Sequence, residues 1–227
     1  MGEVLLSEVV SHAVQKFAAA EIETPQVDAE LIAAHILNFS RGEVQAALLT
    51  GFILTEEQTK LFAEYSARRF TREPLQHITG SAYFRQLQLS VGKGVFVPRP
   101  ETEELITKIF PLIEKRHRVL DVGTGSGCIA VSLGIETDAA IFAWDISEGA
   151  LEIAKKNAKH LGAQVDFQRQ DVFEWEHTRD TWDFIVSNPP YVLDQEKNEM
   201  SSNVLDFEPH VALFVPDHEP LKFYQAL

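Results

Sequence analysis

The sequence predicts an α/β protein: an open, mainly parallel sheet wound with helices, preceded by a small helical bundle and a β-hairpin. Three observations predict it. From Arg118 onward, short apolar runs alternate with helical stretches, the signature of a parallel sheet with helical crossovers. Residues 1–72 instead place apolar side chains at helical spacing. Between them, residues 73–97 change to a two-residue period punctuated by glycine.

In the first segment, Leu6, Val10, Val14 and Phe17 share one face of a 3.6-residue repeat. Thr24-Pro25 sets a hydroxyl before a proline at the first helical position. Ser40 followed by Glu43, and Thr55 followed by Gln58, both have capping-box spacing. A bundle of short helices spanning 1–72 follows, suited to holding or selecting a partner. In the second segment, "ITGSAYF", "LQLSV" and "GVFV" read as strands of a hairpin linker over 73–97. The third segment, 98–227, opens with a stiff Pro98-Arg99-Pro100 exit and a helix that Pro111 ends early. Then come the strands "RVLDV", "AIFAWD", "VDFQ" and "WDFIVS", interleaved with "CIAVSLGI" and "SEGALEIAKKNAKHLG".

Composition narrows the partners. The chain of 227 residues carries 20 basic and 34 acidic residues, a net charge of −14, which disfavours direct nucleic-acid binding driven by phosphate neutralisation. Arg68, Arg69 and Arg72 are the nearest thing to a basic cluster and also suit a helix C-terminal end. No apolar run is long enough for a membrane span, and the first residues lack a basic signal region. The single cysteine, Cys128, excludes an internal disulfide and fits a reducing cytoplasm. It reads as packing rather than as a nucleophile. The histidines show no metal spacing, and no metal is expected.

The candidate site lies where strands end, the place where open α/β sheets bind ligands. "VLDVGTGSGCIA" is strand, glycine turn and helix, with Gly123, Gly125 and Gly127 giving sharp turns and close ligand approach. Gly125 to Ala130 also satisfies the dinucleotide pattern, so NAD is a rival ligand. Asp145 ends the next strand and suits ribose hydroxyls in either case. Asp121, just before the glycines, favours a cationic ligand over a pyrophosphate, and so favours S-adenosyl-L-methionine. Asp171 and Val172 end the third strand and suit an adenine amino group and ring.

"SNPPY" ends the fourth strand. Two prolines fix φ and remove backbone donors, so the corner is rigid. The Asn188 side-chain oxygen and the Pro189 carbonyl then stand as paired acceptors for a planar –NH₂ group, and Tyr191 offers a ring for stacking. That arrangement suits in-line methyl transfer from a sulfonium to an amide or amino nitrogen.

The motifs "PLQHITGSAYF", "GVFVPRPETEELI", "VLDVGTGSGCIAVSLG", "IVSNPPYV" and "FEPHVALF" occur in an order that resembles the release-factor glutamine N5-methyltransferases. The resemblance implies a class I (Rossmann-like) methyltransferase domain behind a helical N-terminal domain and a hairpin linker. It implies S-adenosyl-L-methionine as cofactor and the glutamine of the Gly-Gly-Gln motif of peptide chain release factors as substrate. By position, Gly123, Thr124, Gly125, Ser126, Gly127, Asp145, Asp171, Val172 and Asn188 would hold the cofactor. Asn188, Pro189, Pro190 and Tyr191 would hold the glutamine, with Phe96, Pro98 and Arg99 lining the same pocket. Glu101 and Glu103 are helix-start acids that could reach the cofactor's ammonium. The family's sheet has closing strands that are not legible here, so a shortened catalytic domain is expected. A monomer is expected. Two other readings are a DNA adenine N6-methyltransferase, which shares the Asn-Pro-Pro-Tyr corner, and a cofactor-binding docking module without transfer activity.

Overall fold

A computed structural model describes residues 3–176 and 181–227. It divides into two units, Met1–Thr79 and Gly80–Leu227.

The first unit is built of helices because its apolar side chains recur every three or four residues. After a short strand β1 (Val4–Leu5) come α1 (Leu6–Ala19), α2 (Pro25–Leu37), α3 (Arg41–Leu49), β2 (Ile53–Leu54), α4 (Glu56–Phe70) and α5 (Leu75–Thr79). Strands β1 and β2 pair antiparallel. Leu6, Val10 and Phe17 of α1 are buried against Ile32, Val44 and Phe62. Both expected capping boxes form: Ser40 accepts from the Glu43 amide and Thr55 from the Gln58 amide, each returned by the acidic or amide side chain. Pro25 occupies the first turn of α2, but the Thr24 hydroxyl donates to the Asp28 carboxylate instead of capping a backbone amide. The three arginines are committed internally. Arg68 binds Glu73, Arg69 binds Asp28 at 2.7 Å, and Arg72 reaches the Ala20 carbonyl.

The second unit opens with β3 (Ser81–Phe84) and β4 (Leu87–Ser90), an antiparallel hairpin. The hairpin therefore belongs to this unit, and "ITG" is not its first strand. Leu75 to Thr79 is instead helix α5, ended by Gly80 at φ +73°. The two-residue loop puts Arg85 at φ +54°, the left-handed position such loops demand. A two-point ion pair to Glu136 at 2.6 and 2.7 Å holds it there. "GVFV" forms no strand among the described residues; it leaves a turn at Gly94, φ +85°, with Val95 and Val97 buried.

Helix α6 (Pro100–Ile109) ends in a single 3₁₀ turn over Phe110–Leu112, where Pro111 breaks the α pattern. The α/β core follows: β5 (Arg118–Val122), α7 (Cys128–Glu136), β6 (Ala140–Asp145), α8 (Glu148–Leu161), β7 (Asp166–Arg169) and β8 (Phe184–Ser187). Its four strands are parallel, in the order β7-β6-β5-β8. Alternation along the strands splits the core in two. Val119, Ile141 and Ala143 pack with Ile129, Val131 and Leu133 of α7, and Leu120, Val122 and Trp144 face Val172, Trp175 and Trp182. The chain continues through β9 (Val192–Leu193), α9 (Ser202–Leu205), β10 (Phe214–Val215) and α10 (Lys222–Ala226), with β9 and β10 forming a small parallel pair.

One buried side chain ties these parts together. Asn157 on α8 accepts from the Ser90 amide at 2.7 Å and donates to the carbonyls of Ser90 and Ser126, both at 2.9 Å.

Candidate active site

Strand order reverses about β5, since β6 lies on one side of it and β8 on the other. A reversal of strand order of this kind marks the crevice at the carboxyl ends where such sheets take ligands. A cavity of about 220 Å³ lies there.

One half is formed by the glycine turn and the ends of β6 and β7. Gly123 and Gly125 sit at φ +73° and +57°, and a Cβ on either would meet nothing within 4 Å, so both present bare backbone to open space. Gly127 serves a different purpose. It is at φ +81°, and an added Cβ would lie 3.0 Å from Ala154 Cβ, so its missing side chain lets α7 approach α8. Thr124 and Ser126 are buried in the floor. The Asp145 carboxylate accepts from the Gly125 amide and the Ser147 amide, each at 2.8 Å, which aims it along the cavity wall. Burial pushes its pKa up despite those bonds. Asp171 accepts from the Phe173 amide at 2.9 Å, and Val172 beside it is buried in the wall.

Asp121 departs from the sequence expectation. It is fully buried and does not line the cavity, so direct pairing with a ligand's cation is not what its position offers. One oxygen accepts from the Thr124 hydroxyl at 2.6 Å and the Ala130 amide at 3.2 Å, clasping the glycine turn to α7. The other, Oδ1, has no hydrogen-bond partner among the described residues. Burial, with smaller opposing hydrogen bonds, pushes the carboxyl up to about 7. The neighbouring Cys128 thiol is pushed up to about 12 by burial and by Asp121, so it is a neutral wall group.

The other half of the cavity is the proline corner and the segment after the hairpin. Asn188, Pro189 and Pro190 line it, opposite Phe96, Pro98 and Arg99. Asn188 Nδ2 donates to the Thr102 hydroxyl at 3.3 Å, which leaves its Oδ1 to accept from a ligand. Tyr191 departs from expectation too: it is 60% exposed and does not line the cavity. Glu101 and Glu103 lie in the first turn of α6 and do not line it either.

Two residues were not singled out from the sequence. Thr102, buried beneath Asn188, looks like an ordinary first-turn threonine among glutamates. Glu208 is buried yet ionisable, and it binds the Arg99 guanidinium and the Val97 amide. An acid between Phe207 and Pro209 inside an apolar run was the available signal.

The donor set fits an adenosyl ligand. The Gly125 amide is already taken by Asp145, so it is not free to donate to a pyrophosphate. The open backbone at Gly123 and Gly125 leaves the space a bulky ligand requires.

The parallel sheet, the glycine turn and the acid closing β6 define a class I, Rossmann-like methyltransferase fold, and residues 100–206 match the methyltransferase small domain. Residues 8–80 match the PrmC N-terminal domain. Over 157 residues the chain is 54% identical to a release factor glutamine methyltransferase of Bacteroides thetaiotaomicron, covering 68% of this chain and 56% of that protein. Over 214 residues it is 41% identical to that of Koribacter versatilis, covering 92% and 75%. Over 226 residues it is 38% identical to that of Nitratidesulfovibrio vulgaris, covering 98% and 76%. The chain belongs to the release factor glutamine methyltransferase family. It spans 56% of the length of the Bacteroides relative and 57% of that from Flavobacterium psychrophilum.

Proposed function

We propose that this chain transfers a methyl group from S-adenosyl-L-methionine to the side-chain amide nitrogen of the glutamine in the Gly-Gly-Gln motif of peptide chain release factors. The observation that carries the reading is the fixed orientation of Asn188. Its amide nitrogen is engaged by Thr102 and its oxygen is left at the cavity, on a proline corner that cannot fold back on itself.

When bound, the cofactor supplies a methyl group activated by a sulfonium. Gly123 to Ser126 and Asp145 would hold it, with Asp171 and Val172 against the adenine. Asn188 Oδ1 and the Pro189 carbonyl would accept the two hydrogens of the glutamine –NH₂ and so fix the amide plane, with the nitrogen lone pair perpendicular to it. Such orientation is worth up to ~7–11 kcal/mol in favourable systems. With the nitrogen held there, transfer of the methyl from sulfur to nitrogen would leave a proton that water could take, so the site would need no side-chain base. Phe96, Pro98, Pro190 and Arg99 would enclose the substrate side, and exposed Tyr191 would meet the protein substrate outside the cavity.

The family membership and the names of the relatives support the substrate class. The net charge of −14 supports a protein partner over nucleic acid. Among the described residues no helix is long and apolar enough to cross a membrane. A substrate of the translation machinery supports a cytoplasmic reaction. The working unit is a monomer, which light scattering tests.

The decisive experiment incubates the chain with methyl-labelled S-adenosyl-L-methionine and a purified release factor, then maps the labelled peptide. Label is expected on the glutamine of Gly-Gly-Gln and is lost in Asn188→Ala with folding retained. Label on another side chain or on DNA overturns the substrate. Cofactor binding without transfer leaves a docking module.

A further inference from the structure

Besides the proline corner, the substrate half is walled by two distant parts of the chain, residues 94–99 and 209–212. Glu208 joins them. Its side chain is 1% exposed. One oxygen binds the Arg99 guanidinium, the other accepts from the Val97 amide at 3.2 Å, and its own amide donates to the Val204 carbonyl at 3.0 Å. Arg99 in turn lies 4.7 Å over the Phe96 ring. A carboxylate this deeply buried is costly to desolvate and is retained only where its partners complete it. Here the partners are the backbone and cation of one wall, while Pro209, Val211 and Ala212 of the other wall follow Glu208 directly. None of these contacts involves the glycine turn, Asp145 or Asp171.

We infer that Glu208 is a positioning residue for substrate recognition: it sets the spacing of Phe96 and Arg99 against the 209–212 wall, and leaves cofactor binding to the other half of the cavity. This rests on the reading of the substrate half given above. A substrate side chain entering the cavity passes between walls that one buried carboxylate holds together. Loss of that carboxylate loosens the fit for the glutamine while the cofactor seat stays intact. Misplacement of a reacting group by about 1 Å lowers rates by roughly a hundredfold.

The test compares wild type, Glu208→Gln and Glu208→Ala for thermal midpoint, cofactor affinity by calorimetry, binding of a release factor, and methyl transfer. Glu208→Ala is expected to keep cofactor affinity within about twofold while release-factor affinity and kcat/KM fall by about tenfold or more. Glu208→Gln keeps the shape and the bond to Val97 and is expected to fall between. Unchanged release-factor affinity in Glu208→Ala overturns the inference, as does a cofactor affinity that falls in parallel, because general unfolding moves both. If wild type binds the release factor but transfers no methyl, the proposed function fails while the binding arm still decides the role of Glu208.

Discussion

Replacing Asp121 by asparagine should remove a pH dependence that the wild-type fold carries. The carboxyl is fully buried, one oxygen lacks a partner, and its pKa rises from 3.8 to about 7. Below pH 3.8 it is protonated whether the chain is folded or not, and burial costs nothing electrostatic. As pH rises, the unfolded chain releases this proton before the folded one does, so the folded state loses stability until the folded group also ionises. The interval is about three pH units, and at 1.36 kcal/mol each the loss is about 4 kcal/mol, complete slightly above pH 7. Asparagine keeps an oxygen for the Thr124 hydroxyl and the Ala130 amide and carries no charge. Its –NH₂ lies at the unpartnered position, which adds a constant offset independent of pH. Urea unfolding of both chains from pH 4.5 to 8.5 measures the difference, in which the histidines cancel and Asp145, whose charge acts on Asp121, adds a smaller contribution of the same origin. The variant should gain on wild type steadily up to about pH 7 and then level off. A difference that stays flat across the series refutes the account of a carboxylate ionised against its own burial.

Other consequences can be checked alongside. Arg69→Met strands Asp28, whose side chain is 9% exposed, and should cost about 3–5 kcal/mol in urea unfolding; adding Asp28→Leu should restore most of it. Gly127→Ala forces a left-handed residue against Ala154 and should lower stability by about 2–5 kcal/mol, whereas Gly125→Ala carries only the backbone term of about 1–2 kcal/mol. Calorimetry should show the Gly125 variant binding cofactor more weakly than its stability loss explains. Thr102→Val removes the anchor of Asn188 and should slow kcat roughly fivefold, about 1 kcal/mol, with Thr102→Ser close to wild type; equal loss in both variants contradicts an orienting hydrogen bond.

Much of this architecture could be read from residue patterns because the deciding interactions are local. Strands β5 to β8 and their crossovers follow from apolar runs, and the capping boxes at Ser40 and Thr55 involve residues three apart. The glycine turn, Asp145, Asp171 and Asn188 were legible for the same reason: each occupies the end of a strand. What escaped was set by distant partners. Nothing near Asp121 reveals that α7 folds over it and takes its oxygen, so a buried clasp read as a ligand acid. Ile78 and Thr79 read as the start of a strand but end helix α5, because five residues hold too few periods to separate helix from strand. "GVFV" has strand chemistry, but Val95 and Phe96 line the cavity wall and Val97 gives its amide to Glu208. Glu208 acts 109 residues away from Arg99, a separation that no local pattern encodes.

The amide of Asn157 has a practical consequence for anyone dissecting this molecule. A piece cut to begin at Pro98 would lose Ser90 and leave that side chain without two of its three bonds, next to the Ser126 carbonyl of the glycine turn. A piece begun at Gly80 keeps all three. The shortest fragment worth expressing therefore starts ahead of the hairpin, and its soluble yield against the shorter version would report how far two strands steady a loop that they never touch.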